Sequence, residues 1–172
     1  NEFYYLGGIE VPHAYLLIDG GSRRTSLYLP HRNEGRERSE GKMLSAEDAA
    51  EIMKLSGVDA VFGLDLLNEH LARAARNSGR PLFTPFSPAE GFAMSRDLAT
   101  RVIGDYAAGP FDGRPSREGS LIQSLRGRFP QFEIKDLTPT LDQMRLIKSP
   151  RELTLIRKAT RLSGLALMEA MR

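Results

Sequence analysis

Apolar positions change period several times along the chain, and each change predicts an element. Phe3–Leu6, Ala14–Asp19 and Thr25–Leu29 read as three strands. Tyr4, Tyr5 and Tyr15 alternate with apolar residues in these runs, which predicts core and sheet packing, not a platform for stacking bases. Asp19-Gly20-Gly21-Ser22 reads as a hairpin turn, because glycine supplies the positive φ of tight hairpins. Pro30–Lys42 is polar, with charges of both signs, and reads as an exposed loop.

Alternation of helix and strand follows. Ser45 caps a predicted helix with Glu47 and Asp48 in its first turn and a stripe of Ala46, Ala49, Ala50 and Met53, ending near Gly57. Ala60–Phe62 is a short strand. Asp65 opens a helix with stripe Leu64, Leu67, Leu71, Ala74 and Ala75, stopped by Gly79. Leu82–Thr84 is a strand between prolines. Ser95 opens a helix through Leu98, Val102 and Tyr106, and Ser116 another through Leu121, Ile122 and Leu125, ended by Gly127. Phe132–Ile134 is the last predicted strand. An early hairpin followed by alternating helices and strands implies an α/β fold, a mixed sheet flanked by helices.

Two helix starts close the pattern. Thr138 is placed to cap a helix with Pro139 at its first position. Ser149-Pro150-Arg151-Glu152 reads as a capping box, again with proline first. The final helix is apolar around most of its circumference at Leu165, Ala166, Leu167, Met168, Ala170 and Met171, so it expects cover on every side. That cover is expected from a larger protein, and both chain ends read as cut.

Composition narrows the function. At 172 residues and 41% hydrophobic content, the chain can bury a core. Net charge is +2, from 24 basic and 22 acidic residues, which gives no support to nucleic-acid binding. The absence of cysteine excludes disulfides and thiolate chemistry and is compatible with a reducing cytoplasm, the expected location. No apolar run reaches membrane-spanning length.

Several segments resemble the aminopeptidase P, prolidase and creatinase family. Asp136–Leu153 contains Met144-Arg145-Leu146-Ile147-Lys148-Ser149-Pro150 followed by Arg151-Glu152, similar to the family's junction between its N-terminal domain and its catalytic "pita-bread" domain. Phe3-Tyr4-Tyr5-Leu6-Gly7-Gly8-Ile9-Glu10-Val11-Pro12 is similar to the family's "FYYLTGIEEP" segment. Gly57-Val58-Asp59-Ala60-Val61 and Ile156-Arg157-Lys158-Ala159 match in order and spacing. The resemblance implies a creatinase-type, ribonuclease H-like N-terminal domain over residues 1–137. Residues 138–172 would be the linker and the first helix of the catalytic domain. It implies a parent Xaa-Pro aminopeptidase or dipeptidase, most like a bacterial one. That parent would hydrolyse the bond before proline at peptide N-termini with two divalent metals, manganese by expectation. Its metal ligands belong to the C-terminal domain, so no catalytic, cofactor-binding or metal residue is assigned here. The expected partners are the protein's own catalytic domain, further copies in a homodimer or higher homo-oligomer, and short peptides. A creatinase-like amidinohydrolase and a catalytically dead relative acting as a binding module are the alternatives.

The residues themselves offer little competing chemistry. The three histidines, His13, His31 and His70, are far apart in sequence and form no metal-ligand spacing. His70 reads as a boundary residue beside Leu67 and Leu71, and His13 as a polar turn residue. Gly35…Gly41-Lys42 fails as a phosphate loop, since the spacing is wrong and Met43 stands where Ser or Thr is needed. His31 and Arg32 are the candidate site. They follow the strand Thr25–Leu29, and in the family the matching loop reaches the neighbouring subunit's substrate pocket. An arginine there can hold a peptide carboxylate by two parallel hydrogen bonds. The plainer alternative is a solvated loop of balanced charge. Some bacterial relatives carry a tryptophan in this loop. The comparable stretch here is Arg38-Ser39-Glu40-Gly41, and the chain has no tryptophan.

Overall fold

The computed structural model describes residues 2–76, 79–88 and 95–172. Among them, β1 (Tyr15–Asp19) pairs antiparallel with β2 (Arg24–Leu29), and β2 pairs parallel with β3 (Ala60–Gly63). A second, two-stranded parallel sheet joins β4 (Leu82–Thr84) to β5 (Ile134–Asp136). The expected mixed sheet is present as this three-stranded unit, and its last predicted strand lies two residues later than the apolar run Phe132–Ile134 suggests.

Alternation along the strands sends side chains to two cores. Leu27 and Leu29 on β2 are fully buried and pack with Ile52 of α3 (Ala49–Ser56), Val58, Ile9 and Val11. On the opposite face, Leu17 of β1 packs with Leu71 and Ala75 of α4 (Asp65–Arg76) and with Phe129 and Phe132. Helices therefore cover both faces.

Local departures from the sequence reading have physical causes. Phe3–Leu6 is not a strand: α1 spans Glu2–Gly7, the Gly8 amide donates to the Tyr4 carbonyl at 2.8 Å, and Gly8 follows at φ 67°. Phe3 packs on the first core, while Tyr4 and Tyr5, like Tyr15 on β1, are exposed, not core. In the β1–β2 turn the positive φ falls on Arg23, not on a glycine. There the Asp19 carboxylate accepts from the Gly21 amide and the Ser22 hydroxyl and shapes the turn itself. Within the polar stretch 30–42, Glu34–Glu40 forms α2. Asn33 caps it by accepting from the Arg36 amide, and Arg36 pairs with Glu40 one turn on. No residue of α2 is buried, so the stretch is exposed as expected.

Ser45 starts its helix through a 3-10 turn, Ala46–Asp48, with Asp48 closing the capping box. That tighter turn shifts the phase of α3, so Ile52 is buried and Met53 is exposed. α5 (Arg96–Ala108) and α6 (Arg117–Arg128) start at the expected caps, Ser95 and Ser116. α5 nevertheless buries Ala99, while Leu98 and Tyr106 are exposed. The predicted stop at Gly79 has φ 110°, although the residues joining it to α4 lie outside the described set.

Thr138 is the first residue of α7 (Thr138–Leu146), not its cap; its hydroxyl instead accepts from the Phe86 and Ser87 amides. α7 is held to the domain by Leu141, which is buried, and by Arg145, which donates to Glu2 at 2.9 Å. Arg96 of α5 reinforces that corner with both Asp142 oxygens, at 2.8 and 2.7 Å. α8 (Pro150–Ala170) begins at the Ser149 capping box as predicted and buries none of its residues.

Candidate functional site at the end of the parallel strands

The candidate site forms because β2 and β3 run parallel. Their register pairs Leu29 with Gly63, so both chains leave the sheet side by side. The Leu64 amide donates to the Leu29 carbonyl, and the Ala46 amide to the Pro30 carbonyl. Three segments thus meet beyond the carboxyl ends of the strands, the usual place for ligand sites on α/β sheets. They are residues 30–33, the turn 45–48 and the first turn of α4.

His31 and Arg32 sit at this meeting point. His31 Nδ1 lies 2.7 Å from Glu47 Oε1, and His31 Nε2 lies 3.1 Å from Asp65 Oδ1. The Arg32 amide donates to Glu47 Oε2 at 2.9 Å, and its guanidinium Nη2 donates to Asp48 Oδ1 at 2.6 Å. Ser45 donates to Asp48 Oδ2 through both its hydroxyl and its amide. Glu37 of α2 lies 3.9 Å from Arg32 Nε. Gly63 makes the packing feasible: a Cβ there would collide with the His31 ring and the Asp65 carboxylate.

Electrostatics follow from these contacts. Hydrogen bonds from His31, then from the Arg32 amide, hold the Glu47 carboxyl down at about 2. Ser45, then Arg32, hold Asp48 at about 2. His31 in turn lowers Asp65. The His31 imidazole is raised above its ordinary value, by Glu47 first and Asp65 second. Arg32 is 37% exposed with its partner Asp48 at 10%, so it is anchored from below and open from above. An anchored, partly open guanidinium is suited to gripping an external carboxylate.

The other histidines lie elsewhere. His13 occupies an exposed turn at φ 60°. His70 is half-buried, bonds the buried Tyr28 hydroxyl through Nδ1 at 2.7 Å, and stacks edge-on against Phe62. It lines a hollow of about 1100 Å³ between β1, α4 and β4, which does not include His31 or Arg32. Sequence reading did not find Glu47, Asp48 and Asp65 as site residues. Each reads locally as an acid favourable to a helix start, and only the parallel strand pairing brings them to His31 and Arg32.

These residues do not fit a two-metal centre. Among the described residues, no group of three or more His, Cys, Asp or Glu could hold a metal ion. The acids around His31 are already committed to hydrogen bonds.

A mixed sheet covered by helices, with its candidate site beyond the parallel strand ends, makes this an α/β domain, and its fold is similar to the N-terminal region of aminopeptidase P structures. Residues 1–83 match the family model described as "Aminopeptidase P, N-terminal domain". A Sclerotinia sclerotiorum protein named as an Xaa-Pro aminopeptidase, pepP, is 24% identical over 161 residues, covering 94% of this chain and 23% of its own length. Aminopeptidase P from E. coli is 20% identical with a TM-score of 0.60, over 99% of this chain and 34% of that one. Proline aminopeptidase P II from Yersinia pestis is 22% identical with a TM-score of 0.60, over 99% and 35%. The fold expected from the sequence is thereby shared with these structures, and the resemblance read from the sequence is borne out. The chain spans about a quarter to a third of these relatives' lengths. E. coli aminopeptidase P has also been solved in a zinc-substituted form with product. No described helix is long and apolar enough to cross a membrane.

Proposed function

We propose that this chain is the non-catalytic N-terminal part of a cytoplasmic Xaa-Pro aminopeptidase or dipeptidase. The observation that carries the reading is the family match over residues 1–83 in a chain about one third the length of the solved relatives. Residues 1–137 form the N-terminal domain. Residues 138–172 form the linker and first helix of a catalytic domain, and the bare α8 surface is where that domain packs. The metals, manganese by preference, belong to that domain and not to these residues. Supplied with Mn²⁺, the 172-residue chain is expected to leave an Xaa-Pro peptide uncut, while a longer chain carrying the catalytic domain cleaves it. Turnover by the 172-residue chain would refute this division.

His31 and Arg32 take a subunit-contact or substrate-mouth role in the same reading. The protein assembles as a homodimer or larger homo-oligomer, and the corner beyond β2 faces the neighbouring subunit's substrate. Anchoring of Arg32 by Asp48 and its open outer face support this. A charge-assisted hydrogen bond is worth roughly 1.5–3 kcal/mol. Arg32→Ala in the longer enzyme is therefore expected to lower kcat/KM about 10- to 100-fold. Steady-state rates equal to those of the parent would remove Arg32 from the substrate mouth.

A further inference from the structure

We infer that His31 is a pH-operated clasp: doubly protonated, it ties the end of β2 to both the 45–48 turn and α4, and neutral, it holds only one of them. The inference rests on geometry within the chain and does not depend on the proposed peptidase role.

Two carboxylates, from two different elements, face the two ring nitrogens of His31. A carboxylate above its pKa accepts and cannot donate. Satisfying both therefore needs two N–H groups, which only the imidazolium has. Neutral imidazole carries one proton. The nitrogen without it would turn a lone pair toward a carboxylate oxygen, a repulsive contact. Glu47 is the closer partner and is itself fixed by the Arg32 amide. The proton therefore stays on Nδ1, and the Asp65 contact is the one that opens.

Charges around the ring agree with this order. The turn contributes Glu47 and Asp48, α4 contributes Asp65, and the 30–33 segment contributes Arg32, with Glu37 of α2 reaching Arg32. Arg32 is neutralised by Asp48, so the net field at His31 is acidic and favours the imidazolium, consistent with its raised titration. Because the folded-state value lies above the ordinary 6.5, the clasp is closed below that value and opens as pH rises through the raised one. At the acid end it opens only when Glu47 and Asp65, both lowered, take up protons. The α2 arm hangs directly from this clasp through Arg32 and Asn33 and buries nothing of its own. Opening therefore loosens the root of the arm against α4.

The test is NMR on the intact 172-residue chain. Imidazole signals titrate each histidine, and ¹⁵N relaxation follows the amides of residues 31–40 and 64–66 between about pH 5.5 and about pH 8.5. The expected result is a His31 midpoint above 6.5, with increased mobility at both segments in step with that midpoint. Gly63→Ala pushes the ring from Asp65 without removing a titrating group. It should lower the His31 midpoint and loosen the arm already at low pH. Asp65→Ala, which removes the acceptor from Nε2, gives an independent second variant with the same expectation. A His31 midpoint at or below 6.5, or titration of His31 without change in either segment, overturns the clasp.

Discussion

Ile52→Ala is expected to destabilise the domain by ~2–5 kcal/mol, the largest effect of any substitution on α3. Ile52 has no solvent-exposed surface and packs among Leu27, Leu29 and Val58, the cluster that holds α3 to the sheet. Truncation removes three carbons from a close-packed core, losing their transfer free energy and leaving a cavity that the stiff sheet cannot collapse around. For a domain of this size each kcal/mol moves Tm by roughly 2–4 °C. Met53 is the control, being 38% exposed on the neighbouring face. Met53→Ala should change stability by no more than about 0.5 kcal/mol. Urea and thermal unfolding of both variants measure the difference. If Met53→Ala cost more than Ile52→Ala, the helix would be rotated from the orientation described.

That pair of residues also shows where sequence reading stops. Periodicity found the helix, its cap and its left-handed stop at Gly57, because each is encoded within a few residues. It placed Ala46 on the core correctly but chose Met53 over Ile52, because the helix enters through a 3-10 turn and nothing in the spacing of alanines reports that. The strands that pair locally, β1 and β2, were legible for a similar reason, since one short turn dictates their register. Phe3–Leu6 misled because an aromatic-rich run suits a strand as well as a short helix. The choice fell to tertiary context, where Phe3 packs inward while Tyr4 and Tyr5 are exposed.

The candidate site divides along the same line. His31 and Arg32 stood out because two functional side chains follow a strand directly. Their partners did not, because Glu47 and Asp65 lie 16 and 34 residues away. Only a parallel crossover, closed by the Leu29–Gly63 register, brings them together. A parallel pairing leaves no tight-turn signature in sequence, so the chemistry it assembles is invisible until the sheet is known. Gly63 is the one local trace. A glycine at the last position of an otherwise apolar strand marks a close approach, here of an imidazole and a carboxylate.

Asp136→Ala is expected to cost ~2–4 kcal/mol and to flatten the loss of stability in acid. Asp136 ends β5, opposite Thr84, and one of its oxygens accepts from the Phe86 amide at 3.0 Å and from the Thr138 amide at 2.8 Å. It thereby fastens both exits of the two-stranded sheet and the start of α7. Burial pushes its carboxyl upward, but hydrogen bonds from the Thr138 hydroxyl and the Thr138 and Phe86 amides prevail, with Arg96 assisting, and the net shift is downward. A lowered carboxyl contributes stability that is present above its unfolded value near 3.8 and lost as pH falls through the folded one. The Thr138 hydroxyl still receives the Phe86 amide at 3.1 Å, so the alanine variant leaves that donor one partner, which keeps the cost below the sum of two charge-assisted bonds. Asp136→Asn retains an acceptor without the charge and should fall between the two. Unfolding free energies from about pH 3 to about pH 7 provide the measurement. Wild-type and alanine curves that run parallel would show that Asp136 is not what couples the β4–β5 sheet and α7 to acid.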